Sequence, residues 1–175
     1  MTQFRNFISD VQRMIGRQKW RLLFVWLSRA FLGVFLYRLE RSLYLVFGDY
    51  YKFIRILLLP FILPITAYSN IDIHYKANVG GGLLILHPAL GIVISGKSKI
   101  GNNLTLVGGN CIGINKWSND SIFTVGDNCT LGANASIIGP LQLGNTITIG
   151  AAACVVTSFQ NNGVTLVGVP AKSIN

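Results

Sequence analysis

Few side chains in this sequence could do acid–base chemistry near neutral pH. The 175 residues include two histidines, His74 and His87, and six acidic residues. A neutral imidazole within hydrogen-bond reach of a hydroxyl can accept its proton, which accelerates reactions of that hydroxyl by about 10²–10⁴-fold. A lone histidine is more often packed or exposed without a chemical role, and we interpret His74 in this way. The role of His87 depends on the sequence around it.

The cysteines and histidines form no metal-binding or disulfide pattern. Cys111, Cys129 and Cys154 are odd in number and include no CxxC pair. We expect them to be reduced, small apolar residues of a cytoplasmic protein. Two histidines are too few for a zinc site with three histidine ligands, so no metal is expected.

The elements that must position these residues repeat with a period of six. An aliphatic residue recurs at this spacing in three runs, at positions Ile73, Val79, Ile85, Ile94, Ile100, Leu106, Ile112, Val125, Leu131, Ile137, Leu143, Ile149 and Val155. The spacing fits neither an α-helix nor a strand alternation, and it indicates stacked repeats. Each hexapeptide supplies a short strand and a turn, and three strands close a triangular coil around the aliphatic residues. The corners need left-handed backbone angles, which we assign to Asn102, Asn103, Asn128, Asn134 and Asn145.

The first 55 residues have a different character. They hold ten basic side chains and three acidic ones, which accounts for +7 of the formal net charge of +9. From about Phe4 to Phe47 the apolar residues recur at helical spacing and predict two or three helices. No signal peptide is expected, because residues 1–19 are basic and lack an apolar core.

The composition of this segment favours a lipid surface over nucleic acid, because its arginines alternate with Leu, Phe, Trp and Tyr. The longest uncharged run, 56–71, is interrupted by Pro60 and Pro64, so we predict no membrane-spanning helix. Helices lying in the membrane interface fit better. The alternative is that this apolar surface packs against another subunit or against the β domain.

The ordered motifs of the second half resemble those of the serine acetyltransferase group of hexapeptide acyltransferases. They are Asp72-Ile73-His74, Val79-Gly80-Gly81-Gly82-Leu83, Leu86-His87-Pro88, Gly91-Ile92-Val93-Ile94 and Gly168-Val169-Pro170-Ala171-Lys172. The resemblance covers about residues 70–175, while the N-terminus is more similar to the shorter leader of colanic-acid and capsule acetyltransferases. The fold expected is mainly β, a left-handed parallel β-helix at residues 69–175 after a helical segment at residues 1–68.

The resemblance implies a role for several residues. His87 would be the catalytic base, Asp72 its orienting carboxylate, and the backbone N–H of Gly113 an oxyanion donor. These roles agree with what transfer from a thioester to a hydroxyl requires. Residues implied to lie along the acetyl-CoA donor are Gly132, Ala133, Ala151 and Lys172. Asp72 lies fifteen residues before His87, so the two would stack on adjacent coils only if a corner were shortened.

The acceptor is where the sequence departs from that group. Serine acetyltransferases have an acidic residue before the catalytic histidine and an Arg-His pair in a later loop, whereas this chain has Leu86 and a loop at 115–123 with neither Arg nor His. An apolar Leu86 with Trp117 and Asn119 favours a sugar of a surface polysaccharide or its lipid-linked precursor as the acceptor. Serine is the alternative, and a non-catalytic membrane scaffold is the second alternative.

The expected partners follow from these assignments. They are acetyl-CoA, a glycan or lipid-linked sugar, and an anionic membrane surface contacted through residues 1–55, with no nucleic acid. The resemblance implies a homotrimer, and the basic segment would place it on the inner face of the cell membrane.

Overall fold

The chain folds as a helical segment followed by a β-helix. The structure is a computed structural model and describes residues 2–115 and 123–174. The helices are α1 (Thr2–Ile15), α2 (Arg29–Phe47) and α3 (Tyr51–Ser69), joined by short 3₁₀ turns at Lys19–Leu23, Val25–Leu27 and Gly48–Tyr50. Asn70 follows α3 in the left-handed conformation, and the first strand begins at Ile71.

The described part of the β-helix consists of short strands. They are β1 (Ile71–Ile73), β2 (Asn78–Val79), β3 (Leu84–Ile85), β4 (Ile92–Ile94), β5 (Lys99–Ile100), β6 (Thr105–Leu106), β7 (Asn110–Ile114), β8 (Thr124–Val125), β9 (Thr130–Leu131), β10 (Ser136–Gly139), β11 (Gln142–Leu143), β12 (Thr148–Ile149), β13 (Cys154–Val155), β14 (Thr165–Val167) and β15 (Lys172–Ser173). They pair in parallel as sheet A (β1-β4-β7-β10-β13), sheet B (β2-β5-β8-β11) and sheet C (β3-β6-β9-β12-β14), with β15 added antiparallel to sheet C.

The six-residue pattern forms the core as predicted. All thirteen aliphatic positions are buried, and none is more than 5% exposed. They stack in register, so that Ile73 pairs with Ile94 and Ile94 with Ile112. At the corners, Asn103, Asn128 and Asn134 have the predicted positive φ.

The assignment is wrong for Asn102 and Asn145, which do not have positive φ. Their side-chain oxygens instead accept hydrogen bonds from the N–H groups of Gly81 and Asp127 on the preceding coils, at 3.1 and 2.8 Å. The two asparagines therefore stabilise the corners as hydrogen-bond acceptors and not through a left-handed backbone.

The corner between sheets C and A is longer in the first coil than in the second. Ile71 pairs with Ile92, twenty-one residues on, whereas Ile92 pairs with Asn110 after eighteen. The three additional residues fall between β3 and β4, where a 3₁₀ turn forms at Pro88–Leu90. His87 lies in this lengthened corner, immediately before the turn.

A buried ion pair attaches the helices to the first coil. Arg38 of α2 makes two hydrogen bonds to the Asp10 carboxylate of α1, at 2.8 and 3.1 Å, and the two residues are 3% and 0% exposed. The same guanidinium donates to the carbonyls of Val79 and Gly80, and Asp10 accepts from the N–H of Leu83. Burial raises the pKa of Asp10, while Arg38 and the Leu83 N–H favour the ionised form.

Other side chains satisfy the remaining polar groups on this side of the coil. The Tyr37 hydroxyl donates to the carbonyl of Ala77 and accepts from the N–H of Val79, at 2.9 and 3.2 Å. Arg41 donates to the carbonyl of Lys76, and Arg13 donates to the carbonyl of Gly82. Because β2 is an edge of sheet B, these helices cover an edge that would otherwise be open to pairing.

The helix α3 departs from the sequence-based prediction. Pro60 and Pro64 both lie inside it, although we interpreted them as interrupting the run. The two prolines are four residues apart, so the hydrogen bonds that they remove lie on one side of the helix. That side is exposed, since Ile56, Pro60 and Pro64 are all exposed. The helix therefore continues past both prolines.

One helical region, 29–69, is also long and apolar enough to cross a membrane, judged by length and composition alone. Core helices of soluble proteins meet the same criterion.

We predict that Asp10→Asn lowers the free energy of unfolding by about 3–5 kcal/mol, because it leaves the Arg38 charge buried without a counter-ion. Urea denaturation at one fixed protein concentration measures the change. The control is Asp49→Asn, which breaks the exposed pair between Asp49 and Lys76 and is expected to cost less than about 1 kcal/mol. Equal effects of the two substitutions would contradict the role of the buried Asp10–Arg38 ion pair in attaching the helices to the first coil.

Candidate active site

His87 is exposed on the outside of the β-helix, and its backbone is held in place. Its N–H donates to the carbonyl of Val107 on the next coil at 2.9 Å, and its carbonyl accepts from the N–H of Leu90 at 3.2 Å. Gly108 lies directly against this carbonyl with a φ of +142°, and a Cβ at that position would be 2.5 Å from the His87 oxygen. The corner therefore packs closely only because residue 108 is glycine.

The predicted donor-binding residues share the edge of the β-helix on which His87 lies. Gly132 and Ala133 follow β9, and Ala151 follows β12, so all three occupy the corner between sheets C and A on later coils. Gly132 and Ala151 stack closely, since a Cβ at Gly132 would be 2.7 Å from the Ala151 nitrogen. Lys172 lies in β15, next to β14 at the far end of the same edge. These small residues leave a narrow strip from Lys172 towards His87.

Asp72 lies on a different surface. It points outward from sheet A, where its neighbour on the next coil is Val93. Across residues 2–115 and 123–174, no hydrogen bond or ion pair joins Asp72 to His87. The shortened corner that would stack the two residues on adjacent coils is not formed within one protomer, because the intervening corner is lengthened. The pairing of the two residues remains a prediction.

Gly113 lies near the other end of the sheet A strands. It pairs with Ile138 of the next coil. The space outside its Cα is open, because a Cβ added at Gly113 would have one heavy atom within 4 Å, Cys111 Sγ at 3.8 Å. Strand β7 begins at Asn110 beside the His87 edge, so Gly113 is about 10 Å further along the strand at 3.3 Å per residue. Within one protomer, Gly113 and His87 therefore do not adjoin.

A cavity of about 470 Å³ opens beside the His87 corner. We call it the arginine cavity, because Arg13, Arg21 and Arg29 contribute to its lining and no acidic residue does. Its wall on the β-helix is formed by Leu84 and Ile85 together with Leu86 and Pro88, the residues on either side of His87. Sequence reasoning missed this site, because we attributed the alternation of arginine with aromatic residues to lipid contact alone.

A second cavity, of about 500 Å³, is lined by Asp72, His74 and Lys97. His74 accepts a hydrogen bond from the N–H of Lys76 at 3.1 Å and stacks on the ring of Tyr75. Burial, followed by the charge of Arg55, lowers the pKa of His74 below its ordinary value. The ring is exposed and accepts a backbone hydrogen bond, and the interpretation of His74 as a packed or exposed residue without a chemical role stays a prediction.

The predicted acceptor residues are placed only in part. Leu86 is 49% exposed at the arginine cavity. Trp117 and Asn119 lie outside the described residues. Among the residues that the structure describes, no group of three His, Cys, Asp or Glu side chains could hold a metal ion.

Comparison with known proteins identifies a consistent set of relatives. No family model matches the chain. It is 45% identical over 106 residues to a probable serine acetyltransferase of Oryza sativa subsp. japonica, covering 60% of this chain and 33% of that protein. The serine acetyltransferase of Neisseria gonorrhoeae in complex with serine superposes with a TM-score of 0.80 at 29% identity, covering 99% of this chain and 69% of that one. A serine acetyltransferase in complex with CoA, with a TM-score of 0.75 at 23% identity, shares the fold.

These likenesses confirm the predicted left-handed parallel β-helix with an N-terminal helical segment. The chain spans about a third of the length of the curated relative and about two thirds of the solved structures.

The prediction of a polysaccharide sugar as acceptor is wrong, because the matched relatives and solved structures are serine acetyltransferases. We had inferred a sugar site from the absence of an acidic residue at position 86 and of an Arg-His pair in the later loop. Losing the residues that bind the amino group and the carboxylate of serine is not evidence for a sugar site. The cavity beside Leu86 is lined with arginines, and their position was not predicted from the sequence.

Proposed function

We propose that this chain is an acetyl-CoA-dependent O-acetyltransferase that uses serine as its acceptor. The observation that carries the proposal is the shared edge of the β-helix, along which His87 follows a strip of small residues from the end that bears Lys172. Its likeness to serine acetyltransferases over 99% of the chain, with a TM-score of 0.80, supports the same assignment. The donor is supported by the neighbour that binds CoA.

In the proposed reaction, a neutral His87 imidazole removes the proton of the acceptor hydroxyl. The hydroxyl oxygen attacks the thioester carbon, the C–S bond breaks, and the imidazolium returns its proton to the departing thiolate of CoA. The thioester carbonyl is already activated, so this transfer needs no metal. The fixed backbone of the His87 corner would hold the ring in position for both proton transfers.

The donor would lie along the shared edge. Gly132, Ala133 and Ala151 have little or no side chain, so the pantetheine arm can approach the backbone closely. Lys172, at the far end, would meet the phosphates of the nucleotide.

We further propose that the chain acts as a homotrimer, with each active site between two protomers. His87 and Gly113 lie on opposite ends of sheet A, and this separation supports a site in which one protomer supplies the base and its neighbour the Gly113 N–H. Asp72, on the same outward face as Gly113, is proposed to orient the His87 ring in the assembled protein. A backbone N–H directed at the developing oxyanion is worth about 3–4 kcal/mol.

We predict that His87→Ala lowers kcat for acetyl transfer to serine by about 10²–10⁴-fold, because the general base is lost. Release of CoA, measured for the full-length protein at saturating acetyl-CoA, gives the rate. His74→Ala is the matched control and should change kcat by less than about threefold, since it removes the other histidine of the chain, to which no catalytic role is assigned.

Equal losses in the two histidine variants would contradict the assignment of His87. If the unsubstituted protein released no CoA with any hydroxyl acceptor, the proposed enzyme would be wrong and the non-catalytic scaffold would stand.

A peripheral position on the inner face of the cell membrane is proposed for the helical segment. Of the 26 large apolar side chains that are exposed among the described residues, 20 belong to residues 4–68. The three acidic residues of the segment, Asp10, Glu40 and Asp49, are all engaged in ion pairs. An exposed apolar surface with a surplus of basic side chains complements anionic lipid.

We predict that Leu57→Ser combined with Phe61→Ser reduces binding to phosphatidylglycerol vesicles at least tenfold in a flotation assay, because these residues are four apart on one exposed face of α3. Val156→Ser with Ile174→Ser, on exposed positions of the β-helix, should leave vesicle binding unchanged. If the α3 variant changed the oligomeric state by light scattering while the unsubstituted protein failed to float, the surface would be a protein interface.

A further inference from the structure

The arginine cavity is built by two parts of the chain that are far apart in sequence. Trp20, Arg21 and Phe24 come from the 3₁₀ turns between α1 and α2, and Leu86 and Pro88 come from the corner that carries His87. Its volume of about 470 Å³ is in the usual range for small-molecule sites, which are mostly apolar with a few convergent polar groups. Its position beside His87 makes it the space in which an acceptor would lie.

Two of its arginines lack a counter-ion. Arg13 is engaged by the β-helix, through the Gly82 carbonyl and the Thr105 hydroxyl. In contrast, no carboxylate among the described residues pairs with Arg21 or Arg29, and the Arg29 guanidinium lies over the ring of Tyr68 at 5.3 Å from its centroid. Helix α2 also begins at this cavity, so its N-terminal end adds to the positive potential.

No carboxylate in the lining could pair with a cation. The lining contains no Asp or Glu, and Leu86 adjoins His87 directly. An ammonium group placed here would lie near the positive charges of Arg21 and Arg29 with no carboxylate to balance its own, whereas an anion would lie near both arginines in a partly apolar space. Guanidinium groups bind carboxylate and phosphate through paired, charge-assisted hydrogen bonds.

We propose that the arginine cavity selects the acceptor by its anionic group, which Arg21 and Arg29 bind, and that the acceptor needs no ammonium group. This inference rests on the proposed acetyl transfer and extends its substrate class from serine to small anionic alcohols. Carboxylate and phosphate share the recognising chemistry, and acceptors that carry each anion separate them.

The test compares acceptors with the full-length protein, by steady-state release of CoA. L-serine has both charged groups, 3-hydroxypropanoate lacks the amino group, ethanolamine lacks the carboxylate, and glycerol 3-phosphate carries a phosphate. We expect a KM for 3-hydroxypropanoate no higher than that for L-serine, and at least tenfold poorer kcat/KM for ethanolamine. A higher kcat/KM for glycerol 3-phosphate than for L-serine, lost in the arginine variants below, would also support the proposal and identify the preferred anion as phosphate.

The variants assign the effect to the arginines. Arg21→Gln with Arg29→Gln should raise KM for the anionic acceptors by about 10- to 100-fold and leave kcat and the KM for acetyl-CoA within threefold. Arg21→Lys with Arg29→Lys should recover part of the loss, because it keeps the charge. Arg17→Gln removes an exposed arginine of the same segment outside the cavity and is the matched control, with no expected change.

Three results would overturn the proposal: an unchanged acceptor KM in the double glutamine variant, an effect confined to the KM for acetyl-CoA, or ethanolamine used as well as serine. Calorimetric titration with 3-hydroxypropanoate in the absence of acetyl-CoA measures the binding without turnover. Weaker binding to the double glutamine variant would support the cavity even if the proposed acetyl transfer failed, and equal binding would overturn it.

Discussion

The buried pair between Asp10 and Arg38 is the interaction on which the arrangement of this molecule depends. A β-helix coil ends in open backbone groups, and here two helices close that end by directing charged side chains onto the carbonyls and N–H groups of the first coil. Since the two ions have no solvent to replace a lost partner, the helices have essentially one position on the coil. That position brings the segment with Arg21 and Arg29 against the corner that carries His87.

The β-helix itself contributes a second constraint. Its first coil has a lengthened corner between sheets C and A, and that corner holds His87 outside the regular surface. The residue at 108 must be glycine because the His87 carbonyl approaches so closely. The regular coils below supply small residues in line with that corner. A rigid scaffold with one irregular corner can in this way hold a base next to a groove for a thin cofactor arm.

The sequence predicts the repeat architecture well, because burial inside a coil requires an aliphatic residue at every sixth position and all thirteen are buried. It also shows where the regularity fails, since the step of nine from Ile85 to Ile94 marks the corner of His87. The left-handed corner conformation was predicted for both Asn102 and Asn103 and is found only at Asn103. The sequence alone does not separate a left-handed residue from a hydrogen-bond acceptor. The prolines of α3 and the arginine cavity depend on tertiary contacts, which no local spacing reports. The sugar acceptor was inferred from charged residues that are missing at two positions. That prediction was wrong because the residues that line a site are brought together by tertiary contacts, which the local sequence does not show.

In the proposed arrangement, the acceptor lies between His87 and the arginines of the helical segment. A crystal structure of the full-length protein with CoA and L-serine would show whether it does. We expect the serine hydroxyl within about 2.6–3.2 Å of a His87 ring nitrogen and the serine carboxylate on Arg21 or Arg29. Serine bound in the cavity lined by Asp72 and His74, or anywhere out of reach of the His87 ring, would contradict it.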